Sequence, residues 1–125
     1  PSKNPLFSIE ERVAIIKDAT KDLKNVRVDH FEGLLTHYVE SVGASIIVKG
    51  LRAITDFEYE FQMALMNRKL NEEIDTMFLM TRNKYSYLSS SMVKEVYRIG
   101  GDVSCLVTEH VLNKLSEKIK QVDNS

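Results

Sequence analysis

At 125 residues the chain has the length of one domain, and a hydrophobic share of 43% is enough for a single core. Its 17 basic residues are matched by 18 acidic ones, a net charge of −1, so there is no cationic excess to drive counterion release from nucleic acid, and any anion site must be local. No apolar run approaches the roughly 20 residues that span a bilayer, the start lacks the basic-then-apolar pattern of a signal peptide, and the single Cys105 rules out an internal disulfide. A soluble protein of a reducing, cytosolic compartment is expected, with Cys105 read as a small buried apolar group.

Two prolines and an asparagine make residues 1–7 irregular. Ser8 with Glu11 three residues on is a capping box, and Val13, Ile16, Ala19 and Leu23 recur at helical spacing, which predicts a helix over 9–23. Residues 26–31 are short and rich in β-branched side chains and read as a strand; residues 34–42 return to helical periodicity, and Gly43 stops them. A buried strand follows over 46–48. Next come a turn with Lys49, Gly50 and Arg52 and a long helix ending near Asn71, with Thr55 as N-cap, Glu58 as its box partner, and a buried face of Phe57, Phe61, Ala64 and Leu65. Residues 76–80 read as a third strand and 81–88 as a polar, aromatic-containing loop. The serines 89–91 lead into a helix over 92–99 that Gly100 and Gly101 terminate. Val111, Leu112, Leu115 and Ile119 mark a last helix, and 121–125 has nothing to bury and reads as a frayed tail. Alternation of strands and helices implies an α/β fold with a mostly parallel, covered sheet.

Two cations at the carboxyl end of a strand can form an anion site, because open α/β sheets bind ligands where strands hand over to helices. Equally, Lys49 and Arg52 can be solvated loop charges. The serine run offers hydroxyls and free backbone N–H groups at a helix start, where ordinary capping explains one serine but not three. Glu60 borders the buried face of its helix, where a carboxylate needs a partner. His30, His37 and His110 lack metal-ligand spacing and read as surface or packing residues, and Met63, Met66, Met77, Met80 and Met92 as core filler.

Lys49-Gly50-Leu51-Arg52-Ala53, then Asp56-Phe57-Glu58-Tyr59-Glu60, and later Tyr85-Ser86-Tyr87-Leu88-Ser89-Ser90-Ser91 with Val93-Lys94-Glu95-Val96, resemble bacterial phosphopantetheine adenylyltransferase. The likeness runs to about Lys120 with spacings intact. It implies a Rossmann-like nucleotidyltransferase fold and adenylyl transfer from ATP to 4′-phosphopantetheine, giving 3′-dephospho-coenzyme A and pyrophosphate, with Mg2+ carried by ATP, in a cytoplasmic homohexamer. Residue by residue, it implies that Lys3, Leu35 and Lys49 bind phosphopantetheine and that Gly50, Leu51, Arg52, Glu60, Tyr85, Ser86, Tyr87, Leu88, Ser89, Ser90 and Ser91 line the ATP site. For Leu34 and Leu35 core packing is the alternative, and for Glu60 an ion pair with Arg52 or Arg68. Lys49 stands where the family often has arginine, which removes a bidentate fork from that contact.

The family opens with a strand, a glycine-rich turn and a Thr/His-x-Gly-His signature that have no counterpart here. The resemblance places the first strands at the centre of the sheet and the transition-state-stabilising histidine in that segment. The segment is therefore expected in the molecule, because without it the strands expose unpaired edges and the chain would not turn over. Two other functions fit the residues: a related nucleotidyltransferase with another phosphorylated acceptor, and a non-catalytic adenylate-binding module.

Overall fold

Ser8 opens helix α1 (Ile9–Ala19) in a complete capping box: its hydroxyl accepts the Glu11 N–H at 3.1 Å and the Glu11 carboxylate accepts the Ser8 N–H at 3.1 Å. The computed structural model describes residues 5–52 and 54–125, with only the backbone of residues 54 and 55. Elements follow in the order α1, α2 (Leu35–Ser41), β1 (Ile46–Leu51), α3 (Ile54–Leu70), β2 (Asp75–Met80), α4 (Ser90–Arg98) and α5 (Glu109–Asp123). They form two compact units: the segment up to His30 together with Ser89–Ser125, and Phe31–Leu88.

The unit of Phe31–Leu88 is a strand-helix-strand crossover with α2 added. β1 and β2 pair in parallel from Ile46 opposite Asp75 to Leu51 opposite Met80, and a parallel pair needs a connection as long as α3. Val39 of α2, Ile47 of β1 and Ile74 form its core, and Leu35 packs on them. Alternation along each strand points Ile47, Lys49 and Leu51 to one face and Ile46 and Val48 to the other. On that second face Ile46, Val48, Met77 and Leu79 are all more than half exposed. Arg68 in the last turn of α3 pairs with Asp75 at the start of β2, tying the crossover where it re-enters the sheet.

In the other unit α1 lies against α5, and the buried residues are Val93 of α4, Val103, and Leu115 and Ile119 of α5. Lys118 of α5 reaches Glu11 of α1 at 2.7 Å. Its hydrogen bond is the main cause, ahead of the Ser8 N–H, that holds the Glu11 carboxyl below its ordinary value of 4.5. A carboxyl depressed in the folded state contributes stability above its unfolded pKa and loses it as pH falls through the folded value. Wild type should therefore exceed Glu11→Gln in melting temperature near neutrality, and the gap should close as pH drops below 4.5; a gap constant with pH would remove the pair as its cause.

Helix α4 ends in a Schellman motif. The Gly100 N–H donates to the Tyr97 carbonyl at 3.1 Å and the Gly101 N–H to the Val96 carbonyl at 2.8 Å, with Gly100 at φ +88°. A Cβ on Gly101 would stand 2.4 Å from Val96 Cγ1 and 3.0 Å from the Val96 oxygen. Gly101→Ala is thus expected to destabilise by about 1–3 kcal/mol, read as a fall in denaturation midpoint at constant slope. Gly43 closes α2 in the same way, with Ala44 N–H on the Val39 carbonyl.

Several expectations are corrected. α1 stops at Ala19: Thr20 is its C-cap, and beyond it the backbone tightens into turns in which the Lys21 N–H donates to the Asp18 carbonyl at 3.4 Å and the Leu23 N–H to the Thr20 carbonyl at 2.9 Å, which leaves Leu23 exposed. Residues 26–31 are no strand: β-branched residues favour extended backbone, but a strand needs a ladder, and none is formed here among the described residues. α3 begins at Ile54, so Thr55 is a helix residue and not its N-cap. Phe57, Phe61 and Leu65 are exposed, as are all five methionines, because apolar residues surround α3 and a two-stranded sheet covers only part of it. Cys105 is exposed, and α5 continues through residues 121–123.

Candidate functional site

Lys49 and Gly50 are strand residues, opposite Phe78 and Leu79, so the expected turn is shorter than its composition implies. The strand runs to Leu51, Arg52 follows, and α3 starts at residue 54. Position in the pleat sets where each cation goes. Lys49 shares a face with Ile47 and Leu51, the face on which Phe57 of α3 meets Phe78 edge-on at 6.2 Å. There its ammonium lies 3.3 Å from Glu60 Oε2. That oxygen is inaccessible to solvent and makes no aligned hydrogen bond, so the contact is a charge pair with poor directionality. The expected alternatives for Glu60 are corrected accordingly: its partner is Lys49, while Arg68 is taken by Asp75 and Arg52 by Asp56.

The Arg52 guanidinium is held at two nitrogens. Nε donates to Asp56 Oδ2 at 3.1 Å, and Nη1 donates to the Leu88 carbonyl. Arg52 thereby ties the beginning of α3 to the far end of the loop over 81–88. The loop itself is wound tight. Thr81 N–H donates to the Leu51 carbonyl at 3.0 Å and extends the ladder by one bond. A 3-10 turn over Asn83–Tyr85 follows, with the Ser86 hydroxyl on the Asn83 carbonyl at 2.8 Å and the Leu88 N–H on the Tyr85 carbonyl at 3.1 Å. Lys84 sits over the Tyr85 ring at 4.8 Å, and Tyr87 stays exposed. Gly50 has open space around the position of a Cβ, so a ligand can approach the backbone there.

In the other unit, Ser89 is the N-cap of α4, its hydroxyl accepting the Met92 N–H at 3.1 Å. That accounts for one serine of three. Ser90 is the first helical residue, and Ser91 lines a shallow open depression with Lys94, Glu95, Arg98 and Ile99. Leu35 packs on Val39, Ile47 and Ile74, in line with the core-packing alternative, and Lys3 lies outside the described residues. Of the expected site residues, the unit of Phe31–Leu88 links Lys49 to Glu60 and Arg52 to Leu88. The sequence reading held Asp56 within a motif but did not name it as the partner of Arg52. An arginine four residues before an aspartate at a helix start is a charge pair that spacing can flag.

The cytidylyltransferase-like family profile matches residues 1–96. A phosphopantetheine adenylyltransferase of Caldanaerobacter subterraneus subsp. tengcongensis is 56% identical over 121 residues, 97% of this chain and 76% of that protein. Phosphopantetheine adenylyltransferases of Alkaliphilus metalliredigens and Dictyoglomus turgidum are 57% identical over 118 residues and 52% over 119, covering 75% and 74% of those proteins. The chain belongs to the phosphopantetheine adenylyltransferase family. Membership fixes the fold class as an α/β, Rossmann-like nucleotidyltransferase domain, of which the parallel β1-α3-β2 crossover is the visible signature. In this family's terms the cations Lys49 and Arg52 stand at the carboxyl end of β1, where open α/β sheets take their ligands. No helix among the described residues is long and apolar enough to cross a membrane.

Proposed function

We propose that the protein transfers the adenylyl group of ATP to 4′-phosphopantetheine, forming 3′-dephospho-coenzyme A and pyrophosphate, in the coenzyme A pathway. In this step an acceptor phosphate oxygen attacks the α-phosphorus of ATP. A new P–O bond forms, the bond from the α-phosphorus to the bridging oxygen breaks, and its electron pair leaves with pyrophosphate. The acceptor phosphate is already ionised near neutral pH, so alignment and charge neutralisation carry the catalysis.

The observation that carries this reading is the pair of cations at the end of β1, each with an acidic neighbour on α3: Lys49 beside Glu60 and Arg52 beside Asp56. Lys49 takes the phosphate of phosphopantetheine, and the family likeness gives Lys3 and Leu35 to the same substrate. Arg52 takes the ATP phosphates, and the family likeness gives Gly50, Leu51, Glu60 and residues 85–91 to nucleotide binding. Mg2+ enters on the ATP phosphates as part of the substrate. The working form in this reading is a cytoplasmic homohexamer, as membership of the family suggests.

Pyrophosphate release by the full-length protein tests it, with ATP or CTP as donor and phosphopantetheine or other phosphorylated acceptors. Release with ATP and phosphopantetheine alone is the expected result. Preference for another acceptor or for CTP would assign a related nucleotidyltransferase, and ATP binding with no release under any pairing would assign an adenylate-binding module.

A further inference from the structure

We propose that Asp56 is a positioning residue for nucleotide binding, fixing the plane of the Arg52 guanidinium; the inference rests on the reading that Arg52 contacts ATP. A guanidinium carries five N–H donors. Asp56 Oδ2 takes the one on Nε at 3.1 Å and the Leu88 carbonyl takes one on Nη1, which leaves three donors with no acceptor among the described residues. Anchors on two different nitrogens define a plane, and the three remaining donors, one on Nη1 and two on Nη2, are then presented in fixed directions. With the Leu88 bond alone, the group swivels about a single contact and must be ordered again each time a phosphate binds.

Charge argues the other way. Asp56 places a negative group near the site of a polyanion, so a mere counter-charge would weaken ATP binding, and its removal would tighten it. Arg52 and Asp56 side chains are 41% and 32% exposed, where Coulomb terms are strongly screened. The ordering effect is not screened, and immobilising one such side chain is worth roughly two- to tenfold in affinity. Positioning therefore outweighs repulsion. Asp56 also sits in the first turn of α3, where a carboxylate stabilises the helix. That role would move the melting temperature and not ATP affinity.

The test measures the KM for ATP, the KM for phosphopantetheine, kcat and the melting temperature of the full-length protein carrying Asp56→Ala, Asp56→Asn, Arg52→Ala, or Arg52→Ala with Asp56→Ala. Binding of α,β-methylene-ATP is measured alongside. Asp56→Ala is expected to weaken ATP by roughly two- to tenfold with kcat and the phosphopantetheine KM unchanged. Asp56→Asn, whose amide oxygen still accepts from Nε, should restore most of that loss, and in the Arg52→Ala background Asp56→Ala should add nothing. Tighter ATP binding in both Asp56 variants would show a counter-charge and overturn the inference. A loss that persists undiminished without Arg52 would overturn it as well. If Arg52→Ala itself leaves ATP affinity unchanged, the assignment of Arg52 fails and this inference falls with it. Weakening by Arg52→Ala but not by Asp56→Ala defeats the inference alone.

Discussion

Replacing Arg52 by alanine should raise the ATP concentration needed for half-maximal pyrophosphate release by roughly 10- to 100-fold, the value of one charge-assisted hydrogen bond. Two losses add here. On the proposed reading the ligand loses a cation that meets its phosphate oxygens, and the loop over 81–88 loses the tie from its last carbonyl to the strand-helix junction. Arg52→Lys separates the two. An ammonium keeps the charge but cannot hold Asp56 and Leu88 in the same plane while presenting further donors, so it should recover only part of the affinity. Steady-state kinetics with ATP varied at saturating phosphopantetheine is the measurement, and a wild-type KM in Arg52→Ala would take this residue out of the site.

Leu115→Ala should cost about 2–5 kcal/mol of stability, the second large effect. Leu115 is 3% exposed, on the face of α5 that also buries Ile119 four residues on. Truncation leaves a cavity that the surrounding side chains fill only in part, and the lost transfer free energy of the removed carbons adds to it. Val122→Ala on the same helix is the control: Val122 is half exposed, and its change should stay within about 0.5 kcal/mol. Urea titrations of the two variants would check this. Equal midpoints would mean that the interior side of α5 is not where the structure puts it.

Local chemistry was readable before any coordinates. The Ser8–Glu11 box, the glycine stops after α2 and α4, and the Leu115–Ile119 stripe are events within five residues of chain, and each stands as expected. So does the strand-helix-strand order around Lys49 and Arg52. Spacing misled where burial was the question. Phe57, Phe61 and Leu65 lie at helical intervals, but apolar residues occur all round α3, so periodicity names no single buried face.

The motifs along the chain were therefore enough for the family, and they named the kinds of residue a candidate site could draw on: two cations and a glycine. Which carboxylate meets which cation was decided by the tertiary structure. Pleat parity turns Lys49 toward the α3 face and so to Glu60. The early start of α3 brings Asp56 to Arg52, and the wound loop returns the Leu88 carbonyl 36 residues later in the chain to the same guanidinium. The physical reason is one of range: capping, turns and periodicity are set by neighbours in sequence, whereas ion pairing depends on where a sheet register and a crossover set side chains that sequence leaves far apart.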